Sequence, residues 1–155
     1  MILLDKMGAR ATFSAFMLVK NLVTPVAFGV AGLALDSRGR VLLVRQSYMK
    51  GWRLPGGGPN RAEPPAEAVV RELREEVGLT SCAAPEFFGL YTRKAGWVTN
   101  VIALYRLADI ELAFRPNWEV REIMFADPSA PPPDTAPATL RRLVEFNGAP
   151  RAAFW

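Results

Sequence analysis

A chain of 155 residues, half of them hydrophobic and 22% charged, is long enough to bury one core and too apolar for a disordered tail. It has no histidine and one cysteine, Cys82; this excludes serine–histidine triads, imidazole zinc centres and an intramolecular disulfide, and suits a reducing cytoplasm. The net charge of +4 suits an anionic substrate, but the absence of any long basic run argues against a dedicated nucleic-acid surface.

Residues 5–22 read as an amphipathic helix, with apolar surface from Phe13, Phe16, Met17 and the stretch 19–22. The apolar run continues to Leu35, but Lys20, Asn21 and Pro25 break it, and a charge within a lipid span is costly. No small-residue cleavage pattern follows a short apolar core. The segment is therefore expected to be a packed helix or a homodimer contact, with no membrane anchor and no signal peptide. Pro25 disfavours helix in the residue before it. Residues 26–35 then read as a buried strand, joined by the turn Asp36-Ser37-Arg38-Gly39 to a second strand at 40–46 in a β-hairpin.

A glycine-punctuated loop, 47–58, leads to a helix at 64–77. That helix begins on prolines, which only a first turn tolerates, and ends on Gly78, a left-handed cap. Ala66, Val70, Leu73 and Val77 share one face and are expected to pack inward, with the acidic residues outward. Strands at 86–92, 98–107 and 119–125 follow. A rigid proline-rich connector at 128–137 and a short helix at 139–146 come last, and the end from Gly148 is expected to be loose. This order predicts an α/β fold, a mixed β-sheet between helices. Its parts are a helical extension (1–24), a main domain (25–147) and a tail (148–155).

Glu72, Glu75 and Glu76 stand at i, i+3 and i+4 of the 64–77 helix, which gathers them on one side. Like charges at that spacing destabilise a bare helix by roughly a few tenths of a kcal/mol per pair. A hard divalent cation removes the penalty, because Mg²⁺ and Mn²⁺ take clustered oxygen ligands. The glycines ahead of the helix let backbone approach the same ion. An acidic run alone is more often a solvated face, with Arg71 and Arg74 pairing locally. The wider spacing favours the metal: Gly57, five residues, Glu63, seven residues, then Arg71-Glu72-Leu73-Arg74-Glu75-Glu76-Val77-Gly78-Leu79. This pattern resembles the Nudix box at every fixed position, and Gly51-Trp52-Arg53-Leu54-Pro55-Gly56-Gly57 resembles the lead-in common in that family.

The resemblance implies an α/β/α sandwich. It also implies hydrolysis of a pyrophosphate link in a nucleoside diphosphate joined to another group, with Mg²⁺ or Mn²⁺ as cofactor. Carried over position by position, Glu75 and Glu76 are metal ligands, and Glu72 binds metal and in some members acts as the base. The Gly56 carbonyl completes the metal shell. Arg71 orients a box glutamate and favours its ionised form. Glu119 is the candidate for the distal carboxylate that some members use as base or extra ligand, and Glu63 is expected to fix the loop–helix junction.

Arg45, Arg53 and Arg93 are candidates to grip phosphates, against the ordinary reading of surface charge. Trp52, Tyr91, Trp97 and Trp118 are candidates to stack on a nucleobase, against plain core packing. Cys82 has no evident base or cation to activate it and reads as a small filler. Ala62 and Pro64 replace a glycine and a capping threonine frequent in the family; the missing cap costs about 1 kcal/mol. The specific part of the resemblance is 54–79, and nothing beyond Leu79 marks an NADH, ADP-ribose or diadenosine polyphosphate branch. A small-molecule nucleotide or other diphosphate is the expected partner. Two rivals stand beside it. A nucleotide-binding regulatory module without catalysis is opposed by the intact Glu72, Glu75 and Glu76. An RNA 5′-end pyrophosphohydrolase needs a basic channel with aromatics, which scattered arginines do not make.

Overall fold

In the computed structural model, which describes residues 13–20 and 22–155, the core is organised by two strands rich in valine and leucine. These are β1, Val26–Ala34, and β2, Val41–Gln46. Their side chains alternate between two buried clusters, as the twofold period of a strand requires. Val30, Ala34, Leu42 and Val44 meet Val69, Leu73 and Val77 of the box helix, Pro65–Val77. Ala31, Leu33, Val41 and Leu43 face the other way, into a cluster with Leu143 of the C-terminal helix, Pro137–Phe146. Strands covered on both faces read as near-continuous apolar runs, and here they hold one helix on each side.

The remaining strands are β3 (Leu79–Ser81), β4 (Glu86–Ala95), β5 (Val98–Leu107), β6 (Glu111–Leu112) and β7 (Val120–Ala126). β5 lies between β1, to which it is parallel, and β4, to which it is antiparallel, so this sheet is mixed as predicted. β2 pairs antiparallel with β7, and β3 pairs with β6 in a short ladder.

Four expectations need correction. β1 and β2 flank the predicted turn, with Asp36 accepting hydrogen bonds from the Arg38 and Arg40 amides, but they form no hairpin beyond one bridge, Leu35 to Val41. Their edges are taken elsewhere. β1 pairs with β5 on one side and with the Pro55 and Gly57 carbonyls on the other, while β2 pairs with β7 and with Arg53. Second, the inward residues of the box helix are Ala68, Val69, Leu73, Glu76 and Val77, so Glu76 is rolled into the protein. Third, the tail is not loose: Thr92 of β4 donates to the Ala153 carbonyl (3.0 Å) and accepts from the Trp155 amide (2.9 Å). Fourth, of the two roles expected for the N-terminal helix, packing and homodimer contact, the described part does not show the first: residues 13–20 are helical but Phe13, Phe16, Leu18 and Val19 are exposed. Residues 5–12 and 21 of that predicted helix lie outside the described residues. Among the described residues no helix is long and apolar enough to cross a membrane.

Candidate metal and active site

The box helix carries the site, and both its ends are as the sequence suggests. Pro64 is the N-cap with no side-chain cap hydrogen bond, and Gly78 closes the last turn at φ 68°, its N–H on the Arg74 and Leu73 carbonyls. Within this frame Glu76 is only 2% exposed. One of its oxygens accepts from the Gly56 amide (3.0 Å) and the other from the Gln46 side chain (3.3 Å). Glu72 lies against the glycine loop so closely that a Cβ on Gly57 would stand 2.5 Å from its carboxyl carbon. Gly57 thus leaves the space that the Glu72 carboxyl occupies, whereas Gly56 is required by the backbone of Val30 and Ala31 beside it. The carbonyls of Pro55 and Gly57 bond to β1, whereas that of Gly56 accepts no backbone donor among the described residues.

Arg71 organises the outer carboxylates. Its guanidinium donates to Glu63 (2.8 and 2.9 Å), Glu72 (2.9 Å), Glu75 (3.1 Å) and the Gly58 carbonyl (2.9 Å). Glu63 also accepts from the Asn60 amide (2.7 Å), so it ties the loop to the helix as expected. Glu119 stands at the entrance to β7, accepting from the Tyr48 hydroxyl (2.9 Å). Asn117 braces the same turn, with its amide donating to the Glu76 carbonyl (2.9 Å) and its side-chain oxygen accepting from the Glu119 and Val120 amides.

Burial dominates the electrostatics. It pushes the Glu76 carboxyl up to about 8, against the Gly56 hydrogen bond and with the Glu119 and Glu72 charges adding to the rise. Burial also raises Glu72 above the usual carboxylate range and outweighs Arg71, which was expected to keep its glutamate ionised. Carboxylates crowded together in low dielectric call for a cation. The donors are hard oxygens, as Mg²⁺ and Mn²⁺ prefer. Among the described residues no three carboxylates converge closely enough to hold an ion alone. That suits Mg²⁺, which keeps several waters and takes few carboxylates together with substrate phosphates. The residues therefore fit an ion shared with a phosphate ligand, and no all-protein cage.

A cleft of about 320 Å³ opens beside Gly56, Gly57 and Gly58, and its wall includes Arg53, Arg93, Asn100 and Trp155. Arg45 is not part of it: its guanidinium bonds to Asp134 (2.6 Å) and lies over Trp52 at 4.5 Å. Trp52 and Tyr91 are buried, and Trp97 and Trp118 are 74% and 82% exposed outside the cleft wall. Sequence reasoning passed over Trp155, because it follows the last predicted element and no periodicity reaches it. Cys82 packs beside the first core cluster, its thiol pushed up by burial, in line with a filler role.

With this geometry in hand, comparison with known proteins defines the class. A family model described as the NUDIX domain matches residues 24–145, and the chain belongs to the Nudix hydrolase family. Over 60 residues it is 43% identical to an RNA pyrophosphohydrolase of Xanthomonas campestris pv. campestris (strain B100), a stretch covering 39% of this chain and 27% of that protein. Over 47 residues it is 54% identical to the RNA pyrophosphohydrolase of Halorhodospira halophila (strain DSM 244 / SL1), covering 30% and 26% respectively. The matches thus span roughly a quarter of these relatives' length. Among solved structures, a MutT Nudix hydrolase from Burkholderia pseudomallei superposes with a TM-score of 0.67 over 77% of this chain and 96% of that one, at 21% identity. A UDP-X diphosphatase superposes with a TM-score of 0.63 over 98% and 80%, at 17% identity. At those identities the likeness is one of fold.

Proposed function

We propose that this protein is a divalent-metal-dependent hydrolase that splits the phosphoanhydride of a nucleoside diphosphate linked to another group, acting in the cytoplasm. The observation that carries the reading is the buried carboxylate of Glu76, electrostatically coupled to Glu72 and Glu119, with the glycine-floored cleft opening beside it. Glu72, Glu75, Glu76 and the Gly56 carbonyl would hold Mg²⁺ or Mn²⁺ together with substrate oxygens, and the ion would neutralise phosphate charge and acidify the attacking water. Glu72 takes the proton from that water, with Arg71 holding its carboxylate through the 2.9 Å bond; Glu119 is the alternative base. Arg53, whose buried Nε has no partner, binds phosphate from the cleft wall.

A second reading, removal of pyrophosphate from RNA 5′ ends, is favoured by the RNA pyrophosphohydrolases to which the chain is 43% and 54% identical over short stretches. One screen separates the two. The full chain is assayed with Mg²⁺ and with chelator against nucleotide sugars, dinucleotides, nucleoside triphosphates and 5′-triphosphorylated or capped RNA. Metal-dependent turnover of a nucleoside diphosphate derivative is the expected result. Turnover of RNA alone would replace it with the second reading, and no turnover would leave a binding module.

A further inference from the structure

The tail from Gly148, with no predicted structure, is fastened to the body by a buried ion pair. Arg142 is 0% exposed, and its guanidinium donates to Glu145 (2.7 Å) and to the Phe154 carbonyl (3.1 Å). Glu145 in turn accepts from the Tyr91 hydroxyl (2.8 Å) and from the Ala152 amide (2.9 Å). Together with the two backbone bonds to Thr92, these contacts set the indole of Trp155 in a fixed place. One side of it meets Arg142, 5.4 Å from the ring centroid, and the Tyr91 ring at 5.7 Å and 68°. The half-buried remainder lines the cleft.

The cleft therefore has two chemically distinct parts. One part is the Gly56–Gly58 loop, whose Gly56 amide bonds to Glu76 behind the wall, with Arg53 and Arg93 supplying positive charge. The rest of the wall offers the Trp155 indole, the half-exposed Phe28 ring and the Asn100 side chain, which makes no side-chain hydrogen bond among the described residues. Aromatic rings and a free amide lining one cleft can together recognise a flat heterocycle with donors and acceptors on its edge. At about 320 Å³ the cleft is near the lower end of the roughly 300–1,000 Å³ of small-molecule sites.

We propose that Trp155, held on β4 by the Arg142–Glu145 pair, is the stacking platform for the nucleobase of the substrate, and that Asn100 reads the base edge. The inference rests on the nucleoside diphosphate reading above. It adds the residues that bind the base and assigns the tail a part in substrate selection.

Equilibrium binding tests it without requiring turnover. The full chain, with Mg²⁺, is titrated calorimetrically with ADP, GDP, UDP and CDP, and with inorganic pyrophosphate as the base-free probe. Trp155→Leu keeps apolar bulk but loses the π-face, and should weaken the best nucleoside diphosphate about tenfold, within the usual worth of a stacked base. Trp155→Phe should restore most of the affinity, and pyrophosphate binding should be unchanged in both. Asn100→Ala, which leaves the tail untouched, should narrow the differences among the four bases. Equal losses for pyrophosphate and nucleotides, or wild-type affinity in both Trp155→Leu and Asn100→Ala, would overturn the proposal. So would a wild type that binds no nucleoside diphosphate better than pyrophosphate. Trp155-dependent binding without hydrolysis of any substrate would sink the enzymatic reading and leave this one standing. Hydrolysis indifferent to Trp155 would do the reverse.

Discussion

Arginine and glutamate meet at helix spacing in two places in this molecule, and the two clusters differ in balance. Around the box helix one guanidinium, Arg71, serves Glu63, Glu72 and Glu75, while Glu76 is buried with only an amide N–H and a glutamine for company. Around the C-terminal helix one guanidinium, Arg142, answers one carboxylate, Glu145, and Tyr91, Ala152 and Phe154 add hydrogen bonds to the pair, leaving only the buried Arg142 Nε without a partner. A buried pair that is matched and hydrogen-bonded specifies a geometry. A buried surplus of one sign costs folding energy and is relieved by a ligand of the other sign. On the reading proposed above, the first cluster is a site and the second is a latch.

Breaking the latch should have the largest effect on stability. Arg142→Met leaves Glu145 buried without a counter-charge, which costs about 3–5 kcal/mol in comparable pairs. Denaturant unfolding should show it, and Arg142→Met with Glu145→Leu should recover most of the loss. A single variant as stable as the wild type would mean that the pair holds nothing. At the box the pattern inverts. Glu72→Gln should lower kcat roughly a hundredfold, within the range of a lost general base, with the melting temperature close to wild type. If the loss is under tenfold and Glu119→Gln shows the larger one, Glu119 is the base.

The surplus charge also predicts a pH profile. Glu76 holds its proton up to about 8 in the folded protein against an ordinary value of 4.5. Between those values the folded state binds more protons than the unfolded one, so metal-free stability should fall as pH rises through that window. Unfolding midpoints in chelator, compared near pH 5 and near pH 8, should show the decline. Glu76→Gln should flatten it, and Mg²⁺ should offset it by mass action. A metal-free midpoint that rises with pH in the wild type would contradict the buried-surplus account. The smallest effect belongs to Arg45, whose partners Asp134 and Glu122 are largely exposed. Arg45→Ala should cost no more than about 1 kcal/mol, as surface pairs do, and leave kcat/KM unchanged. A marked loss of kcat/KM would return Arg45 to the phosphate site.

The two clusters were also unequally legible. The box could be read because its constraints are local: fixed spacing, a proline start, a glycine stop and three carboxylates on one helix. Its depth could not. A glutamate is normally assigned to the wet face, and only the Gly56 amide and Gln46, both distant in sequence, turn Glu76 inward. Long apolar strands such as β5 were plain, with the predicted 98–107 matching Val98–Leu107. β3 and β6, of three and two residues, are too short to carry a period. The latch was invisible for a further reason. Tyr91 and Glu145 meet across 54 positions, and nothing local distinguishes a buried Arg142 from an ordinary helix-surface arginine.

The most direct test of the site-and-latch distinction is a Mn²⁺ titration of the full chain followed by electron paramagnetic resonance, with free Mn²⁺ as the readout. The wild type should bind Mn²⁺, Glu75→Gln and Glu76→Gln should each weaken it at least about tenfold (about 1.4 kcal/mol), and Trp155→Leu should bind as the wild type does. Wild-type affinity in both glutamine variants, or no Mn²⁺ binding in the wild type with or without pyrophosphate present, would contradict the account.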